Sequence, residues 1–481
     1  MRNPISSCLA AAALLMLSSP AALARTPDLL SLRQQFGVEH LSVQPVRLGV
    51  SPRTIPLEID GQRVTLRLEP ANIRSSGFRL MVETAAGLKE RTAPPASTWS
   101  GTVDEIPGSF VGATIREGQL RATIALGDGR TFFVQPVRDF EPDADPLDHA
   151  VFDAADLGDE PGTCEVSGEP ELVSPGATRG TGTAALKPAE LAFDADFEFY
   201  ALNNSDVALT VDDIQNIMIG VNAVYERDCD VTHYLTTVIV RTVPADPYTS
   251  TDASVVLDEF RNHWNASQTG VRRDVAHLMT GKDLAGGTIG IAFLGSVCNR
   301  SRAYGLSQSR FSTILGRRVA LTAHELGHNW NAVHCDGQVP CNIMCSSING
   351  CAGIGLPNFE PLGVAAITSF AASRTCLNPP VSVGDPVLSG WLRLAAPSPT
   401  PFTTETVLNF YLAESVSAEL DIYDIAGQRI ARLTEGVQDT GWHQLEWRGD
   451  DHAGRPVRSG VYYARLNAAG MSLTRKLVLL R

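Results

Sequence analysis

The segment His324-Glu325-Leu326-Gly327-His328-Asn329-Trp330-Asn331-Ala332-Val333-His334 decides the fold of this 481-residue chain. Residues four positions apart share one face of a helix, so His324 and His328 can bind the same metal ion. Glu325 then stands close enough to act on a water that the metal activates. Coordination by protein nitrogens with one open position is typical of catalytic zinc. The segment therefore predicts one catalytic Zn²⁺ ion with Glu325 as the catalytic base.

A third histidine supports this prediction. His334 lies ten residues after His324, and a straight helix rises about 1.5 Å per residue, which would carry it away from the shared metal. The chain must therefore turn between His328 and His334. The remaining histidines of this part of the chain lack ligand spacing and are expected to be core or surface residues: His233, His263 and His277.

The complete pattern resembles that of the metzincin zinc peptidases, H-E-x-x-H-x-x-G-x-x-H. Metzincins turn at a glycine in the left-handed conformation, and Asn331 holds that position here. Asn tolerates this conformation next best after glycine. Further along, Asn342-Ile343-Met344-Cys345 is similar to the Met-turn of the same proteins. The resemblance implies that Met344 forms the floor beneath the zinc.

Within the metzincins, residues 189–377 look most like the adamalysin, or reprolysin, family. The segment Gly290-Ile291-Ala292-Phe293-Leu294-Gly295-Ser296-Val297-Cys298 is similar to the family's edge strand, which binds an extended peptide antiparallel to itself near Ala292. Two residues depart from the family pattern, because Asn331 replaces a glycine and Cys335 replaces an aspartate. The resemblance implies an α/β domain with a mixed sheet and an active-site helix.

The function implied by this resemblance is hydrolysis of peptide bonds in protein or peptide substrates by zinc-activated water, with Glu325 as general base. The alternative is a non-catalytic or narrow-specificity surface adhesion or binding protein on the same scaffold. Loss of a ligand or of Glu325 would favour the alternative, yet all four residues are present. A structural calcium ion is left open, because no ligand pattern for it is readable.

Residues 1–24 are predicted to be a secretory signal peptide. Arg2 stands near the start, an apolar run extends from Leu9 to Leu17, and Ala22-Leu23-Ala24 offers a small-residue cleavage site. The run is too short to span a bilayer, and no later segment is apolar for long enough. We therefore expect a secreted protein, either free or attached to the cell surface, without a transmembrane span.

Residues 25–180 are predicted to be a β-rich propeptide. Short alternating runs such as Val64–Leu68 and Leu120–Ile124 indicate strands, and the small-residue stretch Pro175–Gly182 indicates an exposed boundary open to proteolysis. Thr163-Cys164-Glu165-Val166 resembles the propeptide switch of adamalysins, in which a cysteine thiolate occupies the fourth zinc position. The resemblance implies a zymogen, whereas a permanent N-terminal domain would make the chain an autonomous surface protein.

Eight of the nine cysteines remain once Cys8 leaves with the predicted signal peptide, and the sequence leaves their connectivity open. Cys164 is either the switch or the disulfide partner of Cys229, which otherwise has no evident partner. By analogy with the adamalysins, Cys298 pairs with Cys376. The same analogy implies two local bridges among four further cysteines: Cys335, Cys341, Cys345 and Cys351.

The C-terminal part resembles the immunoglobulin-like module of flagellar hook-capping (FlgD) proteins. Its turn motifs Asp424-Ile425-Ala426-Gly427 and Asp451-His452-Ala453-Gly454 punctuate short strands. The chain is thus expected to be multidomain: a β-rich propeptide, an α/β metzincin domain, a linker at 378–386 and a β-sandwich at 387–481. The sandwich is a candidate spacer or a handle for export machinery.

The charge of the chain argues against nucleic acid as a partner. The 53 acidic side chains outnumber the 39 basic ones, and the formal net charge is −14. Binding to a phosphate backbone draws most of its free energy from counterion release by basic residues. We therefore expect protein or peptide partners and no nucleic acid.

Overall fold

The computed structural model of the chain describes residues 28–49, 54–157, 162–171, 187–339, 341–347, 358–377, 392–394, 397, 400–412, 415–425, 427–439, 441–468 and 471–481. The predicted signal peptide, the stretch Pro175–Gly182 and the predicted linker at 378–386 lie outside these residues. Within them, no helix is both long and apolar enough to cross a membrane.

The N-terminal region is β-rich, as its alternating sequence predicts. Its elements are α1 (Leu29–Phe36), β1 (Ser42–Pro45), β2 (Thr54–Ile59), β3 (Gln62–Pro70), β4 (Arg74–Thr84), β5 (Gly87–Arg91), β6 (Thr98–Val103), β7 (Ile106–Arg116), β8 (Gln119–Ala125), β9 (Thr131–Pro136), β10 (Asp148–Asp153) and β11 (Thr163–Ser167). Eight strands form an antiparallel sheet in the order β1-β10-β9-β8-β7-β6-β3-β2. In β2 every second residue is buried, because successive side chains of a strand point to opposite faces.

The middle of the chain alternates strands and helices. Its elements are β12 (Lys187–Ala195), α2 (Phe197–Leu202), α3 (Val207–Asp228), β13 (Val231–Arg241), α4 (Ala253–Ser267), β14 (Val275–Met279), β15 (Thr288–Phe293), β16 (Tyr304–Ser307), α5 (Leu315–Asn329) and α6 (Pro361–Ser373). The sequence from Leu191 to Phe199 predicts one strand, but the strand ends at Ala195, because Asp196 caps a helix by accepting a 2.7 Å hydrogen bond from the Phe199 amide. The helix α6 was not predicted, although Pro361 at its first turn is a helix signal.

The second sheet contains strands from both sides of residue 180, the predicted boundary. It has the order β11-β15-β16-β14-β12-β13-β4-β5, so strands from the N-terminal region form both of its ends. β4 pairs in parallel with β13, and β11 pairs in parallel with β15. Pairing between strands so distant in sequence leaves no local signal. The regions 25–180 and 189–377 therefore contribute strands to one shared sheet.

The two sheets enclose α3. This helix contacts β7 and β8 on one side and β13 and α5 on the other, and 15 of its 22 residues are buried. Glycines permit the close approach, because a Cβ at Gly112 would overlap the Ile219 carbonyl and a Cβ at Gly220 would lie 2.7 Å from the Thr123 hydroxyl. On the other face of the mixed sheet, α4 packs against β15 and β16. The site described below lies at the end of this sheet where β15 meets α5.

The C-terminal part has a core of its own. Its strands are β17 (Leu392–Leu394), β18 (Thr406–Leu412), β19 (Val416–Asp424), β20 (Arg429–Gln438), β21 (Gly441–Trp447), β22 (Gly460–Ala468) and β23 (Met471–Leu479). They form sheets in the orders β17-β18-β21 and β20-β19-β22-β23. The two sheets share one apolar cluster that includes Leu408, Leu420 and Trp447. A sandwich of two sheets is the fold that the immunoglobulin-like resemblance predicts.

Candidate metal centre

The helix α5 presents the motif to the interior of the molecule. His324, Glu325 and His328 are all buried, because the helix packs against β15 and β16 on one side and α3 on another. The four-residue spacing of the two histidines places both rings on the same face, with ring centroids 4.6 Å apart. The predicted helical placement of the motif is therefore confirmed.

The three histidines converge on one point. The Nε2 atom of His328 lies 3.0 Å from that of His324 and 3.1 Å from that of His334. Nitrogen ligands at about 2.0–2.1 Å from a tetrahedral zinc are separated from each other by roughly 3.3 Å. The spacing therefore fits one Zn²⁺ ion held by His324, His328 and His334.

Backbone carbonyls that contact the Nδ1 atoms of two of the rings fix the protonation state of those rings. The Nδ1 atom of His324 lies 2.6 Å from the Ile343 carbonyl, and that of His328 lies 2.8 Å from the Ala332 carbonyl. A carbonyl can only accept, so each Nδ1 carries the proton and each Nε2 keeps its lone pair for a metal. Burial lowers the pKa of His324 to about 3 and that of His328 well below its usual value. Both rings are thus neutral, the form that binds zinc.

A left-handed residue turns the chain back toward the site. Asn331 has φ +73°, the conformation expected of the glycine position in the resemblance, and its amide N–H bonds to the His328 carbonyl at 2.8 Å. This bond ends α5 and lets His334 return to the other two rings. Cys335, the next residue, is bonded to Cys341. The disulfide ties the third histidine to the segment that leads to Met344.

The Glu325 carboxylate is buried beside the histidines. No nitrogen or oxygen donor of the described residues hydrogen-bonds to either of its oxygens, and burial raises its pKa well above the usual value. Gly290 on β15 is required here, because a Cβ at that position would overlap the carboxylate. This role of Gly290 leaves no local signal in the sequence, since the contact joins residues 35 positions apart in the chain.

The segment around Met344 lies under α5. Met344 is fully buried, and a Cβ at Gly327 would lie only 2.6 Å from its sulfur. The glycine inside the motif therefore makes room for the methionine. Glu360, the buried residue before α6, accepts a 3.4 Å hydrogen bond from the Met344 amide. In the sequence, Glu360 is marked only by its position before Pro361, the first residue of α6.

Cys164 reaches the same site from the N-terminal region. Its sulfur, a His324 ring nitrogen and a Glu325 oxygen lie within 4.8 Å of one another. Burial, and then the neighbouring Glu325 carboxylate, raises the pKa of the Cys164 thiol. The strand β11 that carries it pairs with β15 on one side, and the Cys164 amide donates a 2.8 Å hydrogen bond to the Ser346 carbonyl on the other. β11 therefore fills the cleft between the edge strand and the Met344 segment.

The remaining cysteines follow the family analogy where the structure describes them. Cys298 is bonded to Cys376, and Cys335 to Cys341. Cys345 is disulfide-bonded, and Cys351, the partner that the analogy implies for it, lies outside the described residues. Cys164 and Cys229 are not bonded to each other, and both sulfurs are thiols. The connectivity that would have paired these two cysteines is therefore wrong.

The other three histidines lie apart from the metal centre. The ring of His233 accepts a hydrogen bond from the Trp330 indole at 3.1 Å, and the ring of His277 contacts the Ser307 hydroxyl at 2.9 Å. Burial lowers the pKa of each to about 3. His263 lies 3.2 Å from the Arg241 guanidinium. Each is a structural residue, as their spacing predicts.

A centre of three histidines with an adjacent buried glutamate is typical of zinc hydrolases. In agreement with this class, residues 186–357 match the model of metallo-peptidase family M12, and residues 398–471 match that of the FlgD Ig-like domain. The chain thus carries a reprolysin-type metallopeptidase segment followed by an FlgD-type immunoglobulin-like segment.

Two relatives are snake venom proteins. The chain is 37% identical over 106 residues to snake venom metalloproteinase atroxlysin-1 of Bothrops atrox, which covers 21% of this chain and 48% of the relative. It is 40% identical over 70 residues to zinc metalloproteinase recombinant fibrinogenase II of Deinagkistrodon acutus, which covers 15% of this chain and 30% of the relative. The chain thus spans less than half the length of these relatives.

Proposed function

We propose that the protein is a secreted zinc-dependent endopeptidase, made as a zymogen, with Glu325 as its general base. The observation that carries the proposal is the convergence of three histidines: the Nε2 atoms of His324 and His334 lie 3.0 and 3.1 Å from that of His328. Beside them is a buried carboxylate that lacks a nitrogen or oxygen donor among the described residues. The family match at residues 186–357 supports it. Protein or peptide segments are the proposed substrates.

The residues of the chain divide the reaction among them. When bound, Zn²⁺ acidifies water and polarises a carbonyl oxygen. Glu325 takes a proton from the attacking water and delivers it to the leaving nitrogen, because one of its oxygens lies within 4.8 Å of a ring nitrogen of His324, one of the three proposed ligands. β15 binds an extended peptide by backbone hydrogen bonds at the edge that β11 occupies in the unprocessed chain. Burial raises the pKa of Glu325, which makes its carboxylate a stronger base for this proton.

The N-terminal segment 162–171 holds the proposed enzyme latent. β11 occupies the edge of β15 that a substrate needs, and Cys164 stands where it can bind the metal as a thiolate, since metal coordination deprotonates a thiol. β11 runs parallel to β15, whereas the family binds substrate antiparallel. A reversed backbone directs its carbonyls differently at the site, which protects the segment from hydrolysis.

Metal removal tests the proposed activity. We expect one zinc per chain, and we expect casein hydrolysis by the processed protein to disappear on chelation and to return when Zn²⁺ is added back. His328→Ala should lose both zinc and activity, because two imidazoles alone would bind the zinc ion weakly. His263→Ala, in a histidine outside the centre, should retain both. Zinc binding without hydrolysis of any protein would favour the adhesion or binding alternative.

Removing the thiol tests the latent state. Cys164→Ala in the unprocessed chain should raise peptide hydrolysis at least about tenfold, because that factor corresponds to only about 1.4 kcal/mol of lost binding of the segment. Cys229→Ala removes the other thiol of the described residues and should leave the unprocessed chain as inactive as before. Equal activity of the two variants would argue against a cysteine switch and for a permanent N-terminal domain.

The proposal places the protein outside the cell. Disulfides such as Cys298–Cys376 persist in oxidising compartments, and residues 1–24 have the sequence of an export signal. N-terminal sequencing of the protein from culture medium should find a start after Ala24, or a start near residue 180 once the latent segment is removed. The immunoglobulin-like segment is proposed as a spacer or export handle.

A further inference from the structure

Glu171 lies at the end of the cleft beyond β15 and is held through its backbone by a side chain. The Asn331 Nδ2 donates to the Glu171 carbonyl at 2.9 Å, and the Asn331 Oδ1 accepts from the Glu171 amide at 2.8 Å. One side-chain amide thus satisfies both backbone groups of a single residue, as a neighbouring strand does in a hydrogen-bonded pair. The glycine of the family pattern has no side chain that could do this.

The surroundings of Asn331 accommodate its amide. Gly295, with φ +57°, follows β15, and a Cβ at this position would lie 2.6 Å from the Asn331 Oδ1. The backbone at Asn331 is also left-handed, with φ +73°. Gly295 and Asn331 therefore both have left-handed backbone conformations that few residue types adopt. Together they place the side-chain amide of Asn331 at the cleft wall.

The Glu171 side chain has a partner of its own. Its carboxylate forms an ion pair with the guanidinium of Arg374, the residue after α6. That guanidinium lies 4.1 Å from the centroid of the Phe370 ring, and its Nε donates to the Ser373 hydroxyl at 3.1 Å. Stacking and a hydrogen bond orient the cation independently of Glu171. Its side chain is 21% exposed, so it remains accessible at the cleft wall.

We propose that Asn331 and Arg374 form a subsite for an acidic residue of a bound peptide, occupied by Glu171 in the latent chain and by substrate after its removal. The substrate half rests on the proposed endopeptidase function. An antiparallel peptide directs its N-terminal part toward the C-terminal end of β15, where this subsite lies. The subsite therefore selects an acidic side chain on the N-terminal side of the cleaved bond. The backbone N–H and C=O of one extended residue point to the same side, so the amide can pair with either chain direction.

Amide hydrogen exchange on the full unprocessed chain tests the subsite without any need for activity. Asn331→Gly keeps the left-handed turn and removes two hydrogen bonds, which should lower the protection of residues 163–171 about tenfold. Arg374→Glu should lower it about three- to fivefold, and the charge exchange Arg374→Glu with Glu171→Arg should restore it. Arg465→Ala is the matched control, because Arg465 stacks on Tyr423 in the C-terminal sandwich, and it should change nothing.

Unchanged protection in Asn331→Gly and in Arg374→Glu, or no restoration by the charge exchange, would overturn the subsite. The substrate half is tested on the processed protein with peptides that carry one Glu or one Lys at each position before the cleaved bond. We expect kcat/KM to favour Glu about fivefold at one position and this ratio to vanish in Arg374→Glu. An identical ratio in both proteins would overturn the selectivity. If no peptide is hydrolysed, the proposed endopeptidase function is wrong. The amide hydrogen exchange measurement then decides by itself whether Asn331 and Arg374 hold Glu171 as proposed.

Discussion

Replacing Glu325 with alanine is expected to lower peptide hydrolysis by about 10²–10⁴-fold, the range that a positioned general base contributes. The carboxylate is buried near the His324 ring but forms no hydrogen bond to any of the three histidines, so its loss should leave their geometry intact. The variant should therefore still bind one zinc ion. The measurement is kcat/KM on the processed protein together with its zinc content.

Two further variants separate a chemical role of Glu325 from a structural one. Gly290→Ala keeps the carboxylate but places a methyl group in its space, so we expect activity to fall while zinc is retained. Glu259→Ala removes a carboxylate on α4 that accepts a hydrogen bond from the Thr249 hydroxyl, and it should be as active as the parent. Full activity in Glu325→Ala would show that another group moves the proton.

A chain synthesised without residues 28–157 is expected not to fold. These residues supply β4 and β5 to the shared sheet and cover α3 with the N-terminal sheet. Their loss returns apolar groups of a joint core to water, at about 1.5–3 kcal/mol for each large side chain. A few such groups exceed the roughly 5–15 kcal/mol that stabilise a typical domain. Far-UV and near-UV circular dichroism, with urea unfolding, would measure the result.

Polar contacts strengthen this expectation. The Arg74 Nε donates to the Gln215 side chain of α3 at 2.7 Å, and the Thr114 hydroxyl donates to Asn216 at 2.9 Å. The Arg241 guanidinium of β13 lies 3.0 Å from the Glu83 carboxylate. Deleting the N-terminal partners leaves polar groups that were buried in pairs, and each such loss costs about 1–3 kcal/mol.

Deletion of residues 392–481 is the matched control. The apolar core of that part contains residues of the C-terminal sandwich only, so the remaining chain should unfold cooperatively and bind zinc. A soluble, zinc-binding protein that lacks residues 28–157 would contradict the shared-sheet interpretation and would make the N-terminal region a dispensable propeptide. Cleavage near residue 180 should accordingly allow the segment with Cys164 to leave the cleft while it remains attached to residues 28–157, which stay bound.

The helices and strands of the middle region could be predicted because their signals are local. The amphipathic pattern from Val211 to Arg227 predicts a helix and corresponds to α3. The short apolar run from Thr288 to Leu294, which glycines flank, predicts a strand and corresponds to β15. The helix α6 was missed, as was the end of β12 at Ala195. The Asp196 cap follows the end of β12, and Pro361 stands at the start of α6; single residues of this kind give a weaker signal than apolar periodicity.

The sequence by itself predicted that the three histidines and Glu325 form one site and that the chain turns at Asn331. Helical spacing, and the ability of a residue to adopt the left-handed conformation, depend on neighbouring residues alone. Only the tertiary structure decided that β4 and β11 belong to the sheet of the metal centre, that Gly290 makes room for Glu325, and that Asn331 holds Glu171. These are contacts between segments far apart in the chain. Their partners and register are set by the packing of whole sheets, for which no short stretch of sequence carries a signal.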